Sequence, residues 1–168
     1  GIVLVLTLAR AWPQARKIRP AGRLSWILFA MLIGACGGIG LSLLWPIFGI
    51  DPDLNARLLP LGLNPVSWPL FILYFSLVNP WLEEIYWRGW LGSDSRSLVA
   101  GDIWFAGFHL LVVGNYVHWH SLVITLVVLS SVSWFWRQIA RRESSLFAPA
   151  LSHIVADAAI LMVVYLHP

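Results

Sequence analysis

The chain has 168 residues, of which 59% are hydrophobic and 11% are charged, whereas an average soluble domain has about 25% charged residues. This composition excludes an ordinary soluble domain. It predicts a single transmembrane domain over residues 1–168, folded as an all-α, polytopic helical bundle, because the apolar runs are long and lack the alternation of strands. The net charge of +3 does not indicate nucleic acid as a partner, because the basic residues cluster between apolar segments.

The apolar segments predict the membrane spans in chain order. A span takes about 20 mostly apolar residues, and four stretches meet or approach that length: 24–50, 67–91, 122–140 and 146–166. A fifth stretch, 103–113, is about half a span. Residues 1–9 are apolar but too short to cross, and they lack the basic segment that an intact signal peptide would carry.

The basic residues predict the orientation of these spans. Under the positive-inside rule, the loops 10–23, 92–101 and 140–146 are cytoplasmic, and the segments 51–66 and 114–121 face outward. We expect His118 and His120, which lie in the second outward loop, to be interfacial. An interfacial aromatic belt is expected to include six tryptophans near span ends: Trp12, Trp45, Trp68, Trp90, Trp119 and Trp136.

Small residues and prolines predict local features of the helices. Gly34 and Gly38 form a GxxxG pair, which is typical of close helix–helix packing in lipid. A substrate groove formed by the same glycines is the alternative. Pro80 removes one backbone donor and frees the carbonyl of Ser76, so we expect a kink or break there.

Ionisable residues on three apolar segments lie at one predicted depth. Glu83 lies eight residues before the inner end of its span, and His109 and His153 each lie seven residues after an inner start. At about 1.5 Å per residue, all three are roughly 10–12 Å below the inner surface. Ionisable groups at membrane depth are costly and usually functional. Their convergence predicts one polar site and, with it, an intramembrane enzyme.

Helical spacing predicts which of these side chains share a face. Glu84 and Arg88 are separated by four residues with the acid first, the favourable order for a helical ion pair. Glu83 points about 100° away from Glu84 on the helix. We therefore expect Glu84 and Arg88 to pair with each other and Glu83 to face a cavity.

The two histidine segments follow the same spacing. His153 and Asp157 are one turn apart, so the aspartate can orient the imidazole or lie beside it in the site. Phe105 and His109 also share a face, which would place an aromatic wall against the histidine. Four common motifs of zinc, nucleotide and serine-nucleophile sites are absent from the sequence: HExxH, Walker A, GxSxG and paired CxxC.

The order EExxxR, FxxxH and HxxxD/N in successive membrane segments resembles the CPBP family. That family comprises the CAAX prenyl endopeptidases and the bacterial Abi-type intramembrane proteases. The resemblance covers residues from about 67 to 166 and rests on seven positions: Glu83, Glu84, Arg88, Phe105, His109, His153 and Asp157. One departure is Asp157, where the CAAX enzymes carry Asn.

The resemblance implies an intramembrane endopeptidase that hydrolyses a peptide bond with an activated water. Glu83 would be the general base and His109 would help to hold the water. His153, supported by Asp157, would stabilise the oxyanion. The remaining motif residues, Glu84, Arg88 and Phe105, would hold these catalytic residues in position.

The resemblance also implies the setting of this chemistry. We expect a membrane-associated peptide or protein substrate, contact with the lipid bilayer and a location in the bacterial cytoplasmic membrane. No cofactor is expected. Zinc is the alternative, because Glu83, His109 and His153 form a ligand set that would leave a position open for water.

A non-catalytic membrane protein is the alternative from another class. Buried Glu, His and Asp residues also build proton relays, so an immunity factor or a proton-coupled transporter could use the same groups. Transporters are commonly built from two related halves. The sequence contains no such repeat.

Overall fold

The computed structural model describes Pro20 and residues 22–167, and among these it contains helices and no strand. The six α-helices in chain order are α1 (Leu24–Phe48), α2 (Leu54–Leu58), α3 (Ser67–Glu84), α4 (Ala100–Val113), α5 (Trp119–Glu143) and α6 (Phe147–Leu166). A 3-10 turn (Leu59–Leu61) follows α2, and a π-helical segment (Ile85–Trp90) continues α3. The predicted all-α bundle is confirmed. The apolar stretch 1–9 and most of the loop 10–23 lie outside the described residues.

Three of the described helices, α1, α5 and α6, are long and apolar enough to cross a membrane. The helix α4 has only 14 residues, which agrees with the half-span predicted at 103–113. Together α3 and the π-helical segment cover the predicted span 67–91 to within one residue. Asn79 and two glutamates lower the mean hydropathy of α3, which is why it is not among these three helices. Large apolar side chains such as Leu43 and Leu111 are exposed on the outside of the bundle, as expected of helices that face lipid.

The most extensive contact between two of the described helices is that of α1 with α6, and it depends on the two predicted glycines. A Cβ atom on Gly34 would lie 2.2 Å from the Ser152 carbonyl oxygen, and one on Gly38 would lie 2.5 Å from the Ala159 Cβ. The Ser152 hydroxyl also donates to the Ala30 carbonyl at 2.5 Å. The prediction of close packing through the GxxxG pair is therefore confirmed.

The helix is not broken at Pro80, so the prediction of a break is wrong, whereas a kink there stays a prediction. The helix α3 runs through Pro80 to Glu84, and α-helical geometry gives way to a π-helix only from Ile85. Pro80 is buried in the bundle, where packing against neighbouring helices stabilises a helix despite one missing donor. The wider turn is visible where the Leu91 amide donates to the Tyr86 carbonyl, five residues back, at 2.9 Å. Such π-helical turns are frequent at functional sites.

One end of the bundle gathers most of the predicted cytoplasmic loops. Arg137 of α5 pairs with Asp102 of α4 at 2.7 Å. Its guanidinium also donates to three carbonyls of the 92–99 segment: those of Ser93, Ser95 and Ser97. The backbone amide of Arg23, just before α1, donates to Glu143 at the end of α5. Asp102 lies in the first turn of α4, and both Asp102 and Arg137 are buried.

The opposite end gathers the two predicted outward segments. The Asp51 amide donates to the Tyr116 carbonyl at 2.9 Å, and the His118 amide donates to the Gly49 carbonyl at 3.1 Å. Arg57 forms an ion pair with Asp51 at 2.6 Å. This hydrogen-bonded guanidinium holds the pKa of the Asp51 carboxyl below its usual value. The contacts therefore sort the described loops into the two groups that the basic residues predicted.

The aromatic belt is only partly where the sequence predicted it. Trp90 and Trp119 are exposed near helix ends, as expected. Trp68 and Trp136 are buried, with 5% and 2% of their surface exposed, so their interfacial assignment is wrong. Both face the interior of the bundle, because position near a span end does not determine which side of the helix a residue occupies. Trp12 lies outside the described residues.

Candidate active site

Three elements bring Glu83, His109 and His153 together. Glu83 lies at the end of α3, His109 on α4 and His153 on α6. The Glu83 Oε2 atom lies 3.9 Å from Nε2 of His109 and 4.0 Å from Nε2 of His153. The convergence that the common depth predicted is confirmed.

Glu83 presents one carboxylate oxygen to the two histidines. Its Oε1 atom accepts a hydrogen bond from the Asn79 side-chain amide at 2.9 Å. Its Oε2 atom is buried and has no hydrogen-bond partner among the described residues. Direct hydrogen bonds of this kind are about 2.7–3.2 Å long, so the distances to the histidines are too great for one. Asn79 was not predicted from the sequence, although its spacing of four residues from Glu83 indicates that the two side chains share a helix face.

His109 is oriented by its own helix. Its Nδ1 atom lies 2.8 Å from the Phe105 carbonyl oxygen. A carbonyl only accepts, so Nδ1 carries the proton, and in the neutral ring Nε2 presents a lone pair toward Glu83. The rings of Phe105 and His109 lie 4.5 Å apart between centroids. The predicted aromatic wall is confirmed.

His153 is held by a contact that the sequence analysis did not predict. Its Nδ1 atom lies 3.0 Å from Oε1 of Glu84, so the imidazole N–H donates to that carboxylate. Its Nε2 atom faces Asp157 Oδ1 at 3.5 Å, in addition to Glu83. The closest carboxylate to His153 is therefore on another helix, while Asp157 lies on the side of the ring that faces Glu83. No local spacing could have predicted this pair.

Glu84 and Arg88 form the ion pair that the sequence predicted. The Arg88 Nη1 atom lies 3.0 Å from Glu84 Oε1, and both side chains are essentially fully buried. The Arg88 guanidinium lies 4.2 Å from the Phe105 ring centre and 5.1 Å from that of Trp136. The cation is thus enclosed by aromatic faces, which attract it electrostatically. One oxygen of Glu84 accepts from both Arg88 and His153.

Trp136 is a further residue of the site that the sequence analysis missed. Its ring stacks on His153 with centroids 4.5 Å apart and an interplanar angle of 28°. Its indole N–H donates to the Ser152 hydroxyl at 2.8 Å. The tryptophan therefore fixes the plane of the imidazole from one side.

Four buried polar atoms around this cluster have no hydrogen-bond partner within the described part of the chain: Glu83 Oε2, Glu84 Oε2, Arg88 Nη2 and Asp157 Oδ2. Buried polar groups are nearly always hydrogen-bonded, and exceptions need an explanation. All four belong to residues at the convergence point. Buried polar atoms of this kind are commonly satisfied by ordered water.

A cavity of about 410 Å³ opens beside the site at the inner end of the bundle. It is lined by polar and basic residues that include Arg88, Arg137 and Arg141. Glu83, His109 and His153 do not line it. The cavity therefore adjoins the site at Arg88.

The same three residues could hold a metal ion. The ligand atoms of Glu83, His109 and His153 all lie within 4.8 Å of one another. Both histidines donate Nδ1–H to an oxygen, which is the usual support of metal-bound histidine. Ligand atoms on tetrahedral zinc lie roughly 3.3 Å apart, as bonds of 2.0–2.1 Å require. The pairs at 3.9 and 4.0 Å would have to contract to bind it.

Comparison with known protein families gives a match over residues 65–159 to the family described as Type II CAAX prenyl endopeptidase Rce1-like. The matched segment is more than half of the chain and contains all the residues of the convergence point. No curated protein matches the chain. No solved structure matches it. The chain, an integral membrane protein with Glu83, His109 and His153 on three helices, belongs to the Type II CAAX prenyl endopeptidase Rce1-like family, as the CPBP resemblance predicted.

Proposed function

We propose that this protein is an intramembrane endopeptidase in which Glu83 activates a water molecule for attack on a peptide bond. The distance of 3.9 Å between Glu83 Oε2 and His109 Nε2 carries the proposal. Two polar atoms at that separation are too far apart to bond directly, but one water molecule can bridge them. Family membership supports protease chemistry at this site.

The two acceptors would orient the water for attack. His109 Nε2 has a lone pair because Nδ1–H is engaged by the Phe105 carbonyl. The water would donate one hydrogen to this nitrogen and the other to Glu83 Oε2. Its oxygen lone pairs then point away from both residues, toward the scissile carbonyl. As the oxygen–carbon bond forms, Glu83 takes the proton.

His153 would stabilise the negative charge that develops on the carbonyl oxygen. Glu84 holds the ring through Nδ1 at 3.0 Å. In the ring protonated on both nitrogens, Nε2–H would be the donor to the oxyanion. The nearest acceptors to Nε2, on Asp157 and Glu83, lie at 3.5 and 4.0 Å, so the oxyanion has no short hydrogen bond to displace. When the carbon–nitrogen bond breaks, Glu83 returns its proton to the leaving amine.

The substrate is proposed to be a membrane-associated protein or peptide. The matched family acts on prenylated CAAX sequences according to its description, and a lipid-modified tail would bring a peptide to the membrane. We place the site near the cytoplasmic face of the membrane, because the basic loops cluster at that end. A bacterial cytoplasmic membrane is proposed on the family resemblance alone.

The proposed mechanism is metal-free. In the alternative, Glu83, His109 and His153 would hold zinc, which supplies Lewis-acid polarisation of a bound water. Metal content per chain and activity after chelation separate the two mechanisms. We expect cleavage to survive chelation in protein without stoichiometric zinc. One tightly bound zinc per chain, together with cleavage that chelators abolish, would contradict the metal-free mechanism.

The proposed base is tested with purified protein in proteoliposomes and two internally quenched peptides. One peptide carries an S-prenylated cysteine near its C-terminus, and the other is an unmodified apolar peptide. We expect Glu83→Gln to reduce cleavage at least about 10²-fold, the usual scale of general-base catalysis. Asp53→Asn, the same chemical change at the outer end of the bundle, is the matched control.

Two outcomes would contradict the proposal, and a third would invalidate the assay. Near-normal cleavage by a well-folded Glu83→Gln protein would remove the base. An equal loss of cleavage in the Asp53→Asn control would show that the assay responds to the amount of folded protein and not to the base. Proton-dependent uptake by proteoliposomes that cleave neither peptide would favour the transporter alternative.

A further inference from the structure

We propose that Asn79 is a positioning residue that holds the carboxylate of Glu83 in its reactive orientation. Asn79 lies one helical turn before Glu83 on α3, and its amide donates to Glu83 Oε1 at 2.9 Å. The inference rests on the proposed function, because it requires Glu83 to be the base.

The hydrogen bond distinguishes the two oxygens of the carboxylate. Rotation about the last side-chain torsion of a glutamate exchanges its oxygens at little cost, because that torsion is broad and two-fold. With Oε1 bound to Asn79, Oε2 is the oxygen that faces both histidines, at 3.9 and 4.0 Å. The carboxylate of Glu83 then presents one fixed acceptor atom, Oε2, to the water. Preorganisation of this kind lowers the barrier without binding the substrate more tightly.

The chemistry of the donor is also suited to a base. The buried acids Glu84 and Asp102 are paired with arginines, Arg88 and Arg137. Glu83 instead receives its hydrogen bond from a neutral amide. An amide orients a carboxylate without the charge of a guanidinium, so the carboxylate can still accept a proton from water.

A purely structural role explains the contact less well. The Asn79–Glu83 hydrogen bond lies within one helix and joins no two helices, in contrast to the pair formed by Glu84 and His153. Its loss should therefore leave the packing of α3 in place. A substitution at Asn79 should affect turnover more than stability.

The experiment measures kcat and KM for cleavage of the prenylated peptide by Asn79 variants. Asn79→Leu has nearly the same size and lacks the donor, and Asn79→Ala tests the same loss in a good helix former. We expect kcat to fall roughly 10- to 100-fold, the scale of one hydrogen bond to a charged group, with KM nearly unchanged. Asn79→Gln, which keeps an amide donor, should recover part of the loss.

Ser76→Ala is the matched control on the same helix. The Ser76 hydroxyl is buried and has no hydrogen-bond partner among the described residues, so its removal should leave kcat unchanged. Melting temperatures of all variants show whether each protein is folded. A rise in KM at constant kcat, or a normal kcat in both Asn79→Leu and Asn79→Ala, would overturn the positioning role.

A double variant separates this inference from the proposed function. If Asn79 acts only through Glu83, Asn79→Leu should cause no further loss in a Glu83→Gln background, measured under single-turnover conditions. An equal decrement in both backgrounds would overturn the inference while leaving Glu83 as the base. Near-normal cleavage by Glu83→Gln would overturn the proposed function and the inference together.

Discussion

His153 is the residue at which the polar contacts of the site meet. Glu84 bonds to one ring nitrogen, Asp157 and Glu83 face the other, and Trp136 stacks on the ring. A ring held by a hydrogen bond at Nδ1 and by stacking on one face has little freedom to rotate. Its Nε2 atom is therefore directed toward the carboxylates of Glu83 and Asp157.

Asp157 is predicted to tolerate Asn better than Ala. Asp157→Asn keeps an acceptor oxygen near the present Oδ1, 3.5 Å from His153 Nε2, and should retain substantial activity. Asp157→Ala removes the acceptor and should lose about 10²-fold in activity, as for loss of one oxyanion-site group. Cleavage of one peptide by both variants provides the measurement. Equal inactivity would show that the aspartate must be charged, as a ligand or proton acceptor would be.

Arg88 is predicted to be required for folding as well as activity. Arg88→Ala leaves the fully buried Glu84 without its cation, which costs roughly 3–5 kcal/mol in soluble cores. We expect a lower melting temperature and a lower folded yield. The double variant Glu84→Gln with Arg88→Met removes both charges and should recover stability but not activity, because His153 loses its anionic partner. Selective loss of turnover in a fully stable Arg88→Ala protein would instead place Arg88 in the chemistry.

At the scale of elements, the contact between α1 and α6 supports the part of α6 that carries His153. Gly34 packs against the backbone of Ser152, the residue directly before His153. The helix α1 contributes none of the ionisable site residues, yet it supports the helix that carries two of them. A substitution that changes this contact should therefore also shift the site residues on α6.

Gly38→Ala is predicted to destabilise the bundle. The new Cβ would lie 2.5 Å from the Ala159 Cβ and 2.8 Å from its backbone, so the helices must separate, at a cost of about 1–3 kcal/mol. Gly40→Ala is the control, because nothing lies within 4 Å of that position. Thermal unfolding in detergent measures both. Equal stability of the two variants would contradict the close approach of α1 and α6.

At the scale of the whole molecule, the described loops form two groups at opposite ends of the bundle. The 92–99 segment and the ends of α5 and α1 meet at one end through Arg137 and Glu143. The segments after α1 and α4 meet at the other through Asp51 and His118. The positive-inside rule places the first end in the cytoplasm.

This orientation is tested with single cysteines in a Cys36→Ala background. Ala56→Cys and Ser97→Cys change exposed residues at opposite ends of the bundle. An impermeant thiol reagent should label Ala56→Cys in intact cells and Ser97→Cys only after lysis. The reverse pattern would invert the topology and place the site near the outer surface.

The sequence by itself determined the features that depend on short spacing and on the thickness of the membrane. Apolar length predicted the spans, and four-residue spacing predicted the Glu84–Arg88 pair and the wall that Phe105 forms beside His109. Distance from span ends predicted that the three helices present their polar groups at one depth. These features are local, because the rise and the turn of a helix are nearly constant.

Only the tertiary structure decided which faces of the helices meet. In the folded bundle, Glu84 hydrogen-bonds to His153 and Arg137 is buried against Asp102. Trp136, which was expected at the membrane interface, stacks on the His153 imidazole. The tertiary structure also continued α3 through Pro80 and placed the irregular turn at Ile85. Each of these depends on the rotation of one helix against another and on packing across the bundle, which span length and local spacing leave undetermined.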